Sequence, residues 1–280
     1  LDRSSAASDV YKRQNYIMKK RPRIVVTNDD GIYAPGIFHL AKSLESVADL
    51  FIVAPEEERS GSSLGISFIH PLAATPVAFP IDIPAWKVSG TPADCIKIAT
   101  VKLIEQPIDF VVSGINPGSN AGQAVLYSGT VGGVIEGAFR GIPGIGFSCI
   151  NEENPQFEKF YSFIPAIVKY FLQVSLPQGT VLNVNFPDTE TISGIKMTRQ
   201  GSEKWIDHYK EFTKVDNSMQ YLMHGDWDTT NSHMDSDFAL LRQGYITVVP
   251  IYVHELTCNT SLTQHKLDFE NSFKDFFKTV

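Results

Sequence analysis

The chain has 280 residues, 43% hydrophobic and 20% charged, enough for one large globular domain or a domain with an appendage. Its formal net charge of −7 at pH 7 excludes a broad basic surface for a nucleic acid duplex, and a small anionic substrate would need local positive charge, most simply a metal. No apolar run approaches the roughly 20 residues that span a bilayer, so no membrane partner is expected.

Residues 1–17, LDRSSAASDVYKRQNYI, have neither the apolar centre of a signal peptide nor helical periodicity, and they read as a non-native, disordered extension ahead of Met18. Ile24-Val25-Val26 is a buried, β-branched strand, and it runs directly into Asn28-Asp29-Asp30-Gly31. Asn28 and Gly31 let the backbone bend and aim both carboxylates at one point. Adjacent carboxylates repel, and a cation offsets that cost. A plain turn with a capping Asp is the competing reading.

Ile37, Leu40, Ala41, Leu44 and Val47 then mark one helix face, and LFIVAP (50–55) is a second buried strand. The Ser/Gly-rich segment 56–67, which holds Ser60, is too irregular for either element. A strand over 85–90, a helix over 91–104 with Asp94 near its start, and a strand over 109–116 ending in Asn116 follow. After the loop 117–129 come a helix over 130–141, a strand over 144–150, a helix over 156–174 and a strand over 181–187. This alternation predicts a Rossmann-like, mostly parallel sheet with helices on both faces. Residues 190–235 are polar and aromatic and suggest an extended hairpin arm. Residues 236–251 return to helix and strand, and 267–280 form an amphipathic terminal helix. The division is therefore an extension (1–17), an α/β core (18–189) and an oligomerising arm with returning strand and helix (190–280).

In such a sheet, ligands bind outside the carboxyl ends of the strands. Asp29, Asp30, Ser60 and Asn116 all fall there. Two carboxylates, a hydroxyl and an amide oxygen are hard ligands that suit Mg²⁺ or Mn²⁺, one ion per subunit, and suit zinc poorly. Taken singly, Ser60 is a loop hydroxyl and Asn116 a turn residue; their shared placement is the argument. Ser128-Gly129-Thr130 stand where a helix begins, a place that either binds phosphate oxygens or is simply capped by one of the hydroxyls. Cys95, Cys149 and Cys258 are far apart and odd in number, and they read as buried thiols of a reducing, cytoplasmic compartment. The chain has no Walker-type G-x-x-x-x-G-K-[ST], no G-x-G-x-x-G after the first strand and no G-x-S-x-G elbow.

VTNDDGIYAPGI, VAPEEERSG, GTPADC, DFVVSGINPGSN and YSGTVGGVIEGAFRGIPGIGFS, in this order and spacing, resemble the SurE family of stationary-phase survival proteins. The resemblance implies a metal-dependent 5′/3′-nucleotidase with a Rossmann-like core, a protruding arm and a homodimer or homotetramer with exchanged segments. It places the metal ligands on Asp29, Asp30, Ser60 and Asn116, with Asp29 and Asp30 also catalytic. It puts the phosphate-facing loop on Ser128, Gly129 and Thr130, and a second loop asparagine on Asn120. With Asn28 these complete the expected substrate-binding set. Ser236 replaces the family's usual Thr. The expected substrate is a nucleoside monophosphate; an exopolyphosphatase and a non-catalytic nucleotide or metal sensor are the alternatives.

Overall fold

Strand β1 (Arg23–Thr27) is β-branched and buried from Ile24 onwards, as expected for a strand covered on both faces. The computed structural model describes residues 21–214, 218–228, 230 and 233–274. The other strands are β2 (Asp49–Pro55), β3 (Ala74–Pro76), β4 (Ala85–Val88), β5 (Phe110–Pro117), β6 (Gly144–Cys149), β7 (Thr180–Phe186), β8 (Gly194–Met197), β9 (Lys204–Thr213), β10 (Met219–Asp228) and β11 (Tyr245–Tyr252). Nine of them form one sheet in the order β3-β4-β2-β1-β5-β6-β7-β11-β8. Strands β4, β2, β1, β5, β6 and β7 run parallel, while β3 pairs antiparallel to β4, β11 antiparallel to β7, and β8 parallel to β11.

Helices α1 (Pro35–Leu44) and α4 (Phe163–Gln173) cover one face, where Ile37, Leu40, Ile164 and Val168 pack on Ile24, Val26, Phe110 and Leu182. Helices α2 (Pro92–Ile98) and α3 (Gly129–Phe139) cover the other, against Val25, Val53 and Val111. The alternation of Ile24 and Val26 with Val25 between the two cores is the period-2 pleat of a strand buried on both sides. The chain leaves β1 for β2 and β4 on one side and returns through β5 on the other. The β1/β5 boundary is thus the point where strand order reverses, the usual ligand crevice of an open α/β sheet.

Local chemistry trims several expected elements. The helix expected over 91–104 is α-helical only to Ile98 and then opens into a π-helical turn, Ala99–Leu103. The Thr100 hydroxyl there donates to the carbonyls of Ile96 and Lys97. The helix expected over 156–174 divides into a 3₁₀ turn, Phe157–Phe160, and α4. Pro165 has no N–H to bond back to the preceding turn, so it stands in the first turn of α4.

Strands β9 and β10 form a separate two-stranded antiparallel hairpin that leaves the sheet. Nearly all its residues are exposed, including Tyr209, Phe212, Tyr221 and Leu222. GIKM (194–197), within the stretch read as arm, is β8 and joins the sheet edge beside β11. At the arm's root Ser236 caps α5 (Asp237–Arg242), accepting from the Ala239 N–H, so the departure from Thr keeps the capping hydroxyl. The final helix, α6, spans Asn259–Ser272, earlier than the 267–280 expected, and buries none of its residues. The polar NTS start hid its beginning from a reading based on apolar spacing. Cys95 and Cys149 are buried, but Cys258 is exposed just before α6, contrary to the expectation of three buried thiols. The extension 1–17, Met18, and Phe276 and Phe277 lie outside the described residues.

Candidate metal and phosphate site

The turn after β1 is built from backbone hydrogen bonds. The Ile32 N–H donates to the Pro55 carbonyl at 2.8 Å, and the Arg59 N–H donates to the Asp29 carbonyl at 2.7 Å. Asn28 is fully buried, and its amide donates to the Gly31 carbonyl at 2.9 Å, so it braces the turn from inside. Gly31 takes φ of 100°, a conformation that favours glycine. The turn drives Asp29, 5% exposed, and Asp30 into the end of the sheet.

Both carboxyls are harder to ionise than an ordinary aspartate. Burial raises Asp29, and it pushes Asp30 up to about 7 with the help of the neighbouring Asp29 and Glu58 charges. Asp30 Oδ2 is buried without a hydrogen-bond partner. Two desolvated carboxylates with an orphaned oxygen need a proton or a cation. This is the observation of fit for a hard divalent ion. Among the described residues no cluster of three or more His, Cys, Asp or Glu side chains is placed to hold a metal, so further donors must be hydroxyl, amide or backbone oxygens and water.

The start of α3 comes against the pair from the side. Thr130, fully buried, donates its hydroxyl to Asp29 Oδ1 and also its backbone N–H to the same carboxylate. The helix N-terminus therefore favours the Asp29 charge. Ser128 is the N-cap, its Oγ accepting from the Val131 N–H at 3.1 Å. Both hydroxyls assigned to phosphate thus have partners within the fold. At Gly129 an added Cβ would lie 2.6 Å from Ser62 Oγ and 2.8 Å from the Asp29 Cβ. Only glycine lets the helix approach the acidic turn so closely.

Asn116 lies at the end of β5, its amide donating to the Gly118 carbonyl at 2.6 Å. The Cys149 thiol donates to the Asn116 carbonyl, and its pKa, pushed up to about 12 mainly by burial, is also raised by the charges of Asp188, Asp30 and Glu152. The Asn116 carbonyl touches this thiol, and the Asp30 charge acts on it from the turn after β1. Asn120 is buried behind this rim. Its amide donates to Ser148 Oγ at 2.7 Å, its N–H to Asn185 Oδ1, and its carbonyl accepts from Asn183. In this network it sets the loop after β5 rather than facing solvent.

Ser60 is exposed, and its hydroxyl donates to Glu58 Oε1 at 2.6 Å. The hydroxyl packed against the Gly129–Asp29 contact is Ser62, whose Oγ is buried without a partner. Nothing in RSGSS distinguishes these serines; the path of the loop does. Glu58, which acts on both aspartates, was likewise visible only as one of three consecutive glutamates.

The sequence matches the profile of the family described as Survival protein SurE over residues 24–207. The chain belongs to the SurE family. It is 44% identical over 257 residues to the 5′-nucleotidase SurE of Protochlamydia amoebophila, covering 90% of this chain and 98% of that protein. It is 36% identical over 236 residues to the protein of the same name from Bacteroides thetaiotaomicron, covering 84% of this chain and 91% of that one. The crystal structure of the SurE protein from Aquifex aeolicus superposes with a TM-score of 0.75 at 34% identity, over 88% of this chain and all of that one. The matched residues 24–207 include the acidic turn, Asn116 and the start of α3.

Proposed function

We propose that the chain is a divalent-metal-dependent phosphomonoesterase acting on nucleoside monophosphates. The observation that carries this reading is the pair of desolvated carboxylates, one with an orphaned oxygen, at the reversal point of a SurE sheet. The SurE relatives' names supply the substrate class.

Asp29 and Asp30 would hold one Mg²⁺ or Mn²⁺, with Asn116 and a serine of the 60–62 loop completing the protein donors. When bound there, such an ion would supply Lewis acidity to a phosphate oxygen and to the attacking water. Thr130 fixes Asp29 through two donated hydrogen bonds, which favour its charged form against the larger effect of burial. Asp30 Oδ2 is the free acceptor that orients the water's proton. The Gly129 N–H, at the first helical position, and the Ser128 hydroxyl, which accepts from Val131 and keeps its own hydrogen, are the donors there for a phosphate oxygen. Asn28 and Asn120 act as braces of the two loops. The exposed apolar surface of the hairpin and of α6 supports assembly into a homodimer or homotetramer.

The test is a phosphate-release panel over nucleoside 5′- and 3′-monophosphates and short polyphosphate, with Mg²⁺, with Mn²⁺ and with EDTA. Metal-dependent release from the nucleotides supports the reading. Faster release from polyphosphate, or none from any substrate, overturns it.

A further inference from the structure

Asp237 is fully buried at the arm's root, and its hydrogen-bond partners lie outside the acidic turn. Its carboxylate accepts three backbone N–H groups from three segments. Gly201, where the chain approaches the arm, donates at 2.8 Å, Gly122 of the loop after β5 at 3.1 Å, and Phe238 of α5 at 2.8 Å. Burial raises this carboxyl, the three N–H groups oppose the rise, and the Glu203 charge adds to it. Glu203 is buried as well, its Oε1 accepting from the Ser236 hydroxyl at 3.1 Å. A Cβ at Gly201 would overlap Glu203 Oε2, and one at Gly122 would lie 2.9 Å from the Glu203 carbonyl oxygen. The Ser236 cap alone would start α5, so two desolvated carboxylates here serve more than that helix.

What they hold is a 3₁₀ turn, Gly122–Leu126. Its first N–H is bound by Asp237, and the Gln123 N–H donates to the Glu203 carbonyl at 2.9 Å. Its far end leads into the proposed phosphate site. The Val125 carbonyl accepts from the Ser128 N–H at 3.4 Å. The Leu126 carbonyl accepts from the Ser63 hydroxyl at 2.8 Å, and the Tyr127 carbonyl from the Ser63 N–H at 3.1 Å. Ser63 is in turn pressed on α3, since a Cβ at Gly132 would overlap its carbonyl oxygen. One short turn therefore links the arm's root to the helix start and to the serine loop.

We infer that Asp237 is a positioning residue for phosphate binding: through the Gly122–Leu126 turn it sets the Ser128 hydroxyl and the Gly129 N–H. The inference rests on the nucleotidase reading. Asp237 touches no reacting atom and acts only through the turn. Asp29 and Asp30 follow β1 and are held by their own backbone bonds, so the metal side of the site does not depend on it. The phosphate side does, because donors displaced by a fraction of an ångström lose their alignment.

The experiment measures kcat and KM for adenosine 5′-monophosphate, and the affinity for inorganic phosphate by titration calorimetry, on Mn²⁺-loaded full-length protein. Asp237→Asn keeps the shape of the side chain and loses an acceptor. It should raise KM and weaken phosphate binding together by about tenfold, with kcat changed less than about twofold and Mn²⁺ binding unchanged. Ser63→Ala frees the other end of the turn and should act in the same sense, several-fold. The double variant should lose less than the product of the two, since both act through one segment. A residue that only stabilises the fold would lower the melting temperature and leave KM and phosphate affinity unchanged; that result overturns the inference. Should Asp237→Asn fail to fold, Ser63→Ala decides, and unchanged KM and phosphate affinity there overturn it. A wild type that hydrolyses no nucleotide overturns the nucleotidase reading, while the phosphate titration still decides the role of Asp237.

Discussion

Asp30 is the residue at which stability and chemistry oppose each other. Its carboxyl is held near 7 in the fold against 3.8 for the free group, so the folded state holds a proton that the unfolded chain has released between these values. Folding stability from this group is complete below 3.8 and is lost as pH rises towards 7. Metal-free Asp30→Asn should therefore melt above the wild type at pH 8, with the difference shrinking towards pH 4, as thermal melts in EDTA will read. With Mn²⁺ the order should reverse, because the ion stabilises only the chain that binds it. A metal-free variant no more stable than wild type at pH 8 would refute the burial cost assigned to Asp30. Asp29→Asn should lower phosphate release by roughly 10²–10³, the loss of several kcal/mol of charge stabilisation. The two aspartates were legible in the sequence because adjacent carboxylates after an apolar strand have few uses. The choice between Ser60 and Ser62 was not legible, since it depends on the path of an irregular loop. Nor was the fate of Thr130, whose partner stands 101 residues earlier in the chain.

Among the elements, α2 and α3 set the precision of the site. Asp94 closes a capping box with Thr91 and also accepts from the Ser67 N–H and hydroxyl, pinning the loop that carries Ser60 and Ser62 to the start of α2. Asp94→Ala should cost about 1–2 kcal/mol in urea unfolding, the scale of a lost cap. Gly129→Ala places a methyl group against Ser62 Oγ and Asp29, and the start of α3 must shift. Overpacking of this kind costs about 1–3 kcal/mol, and activity should fall by more than that stability loss explains. Normal turnover in Gly129→Ala would contradict the close approach of helix and acidic turn. The strand–helix alternation was legible because each strand is an apolar run and each helix keeps its spacing. The breaks at Thr100 and Pro165 were missed because each depends on one hydrogen bond donated or withheld.

For the whole molecule, the sheet already has helices on both faces, yet the hairpin and α6 leave Tyr209, Phe212, Tyr221, Leu222, Leu267 and Phe269 in water. Truncation after Tyr252 should shift the protein to smaller species in light scattering while it still binds Mn²⁺; a full-length protein monomeric at micromolar concentration would contradict the assembly. The hairpin was legible as polar, aromatic sequence without a core, and GIKM (194–197) as strand-like, but its place beside β11 at the sheet edge was not, because a short strand does not name its partner. The central claim is that the acidic turn at the β1/β5 reversal holds the ion on which hydrolysis depends. Its most direct measurement is Mn²⁺ binding followed by electron paramagnetic resonance at pH 8, for the wild type and Asp30→Asn side by side. The account predicts one ion per subunit in the wild type and none at the same concentration in the variant; equal binding by both would contradict it.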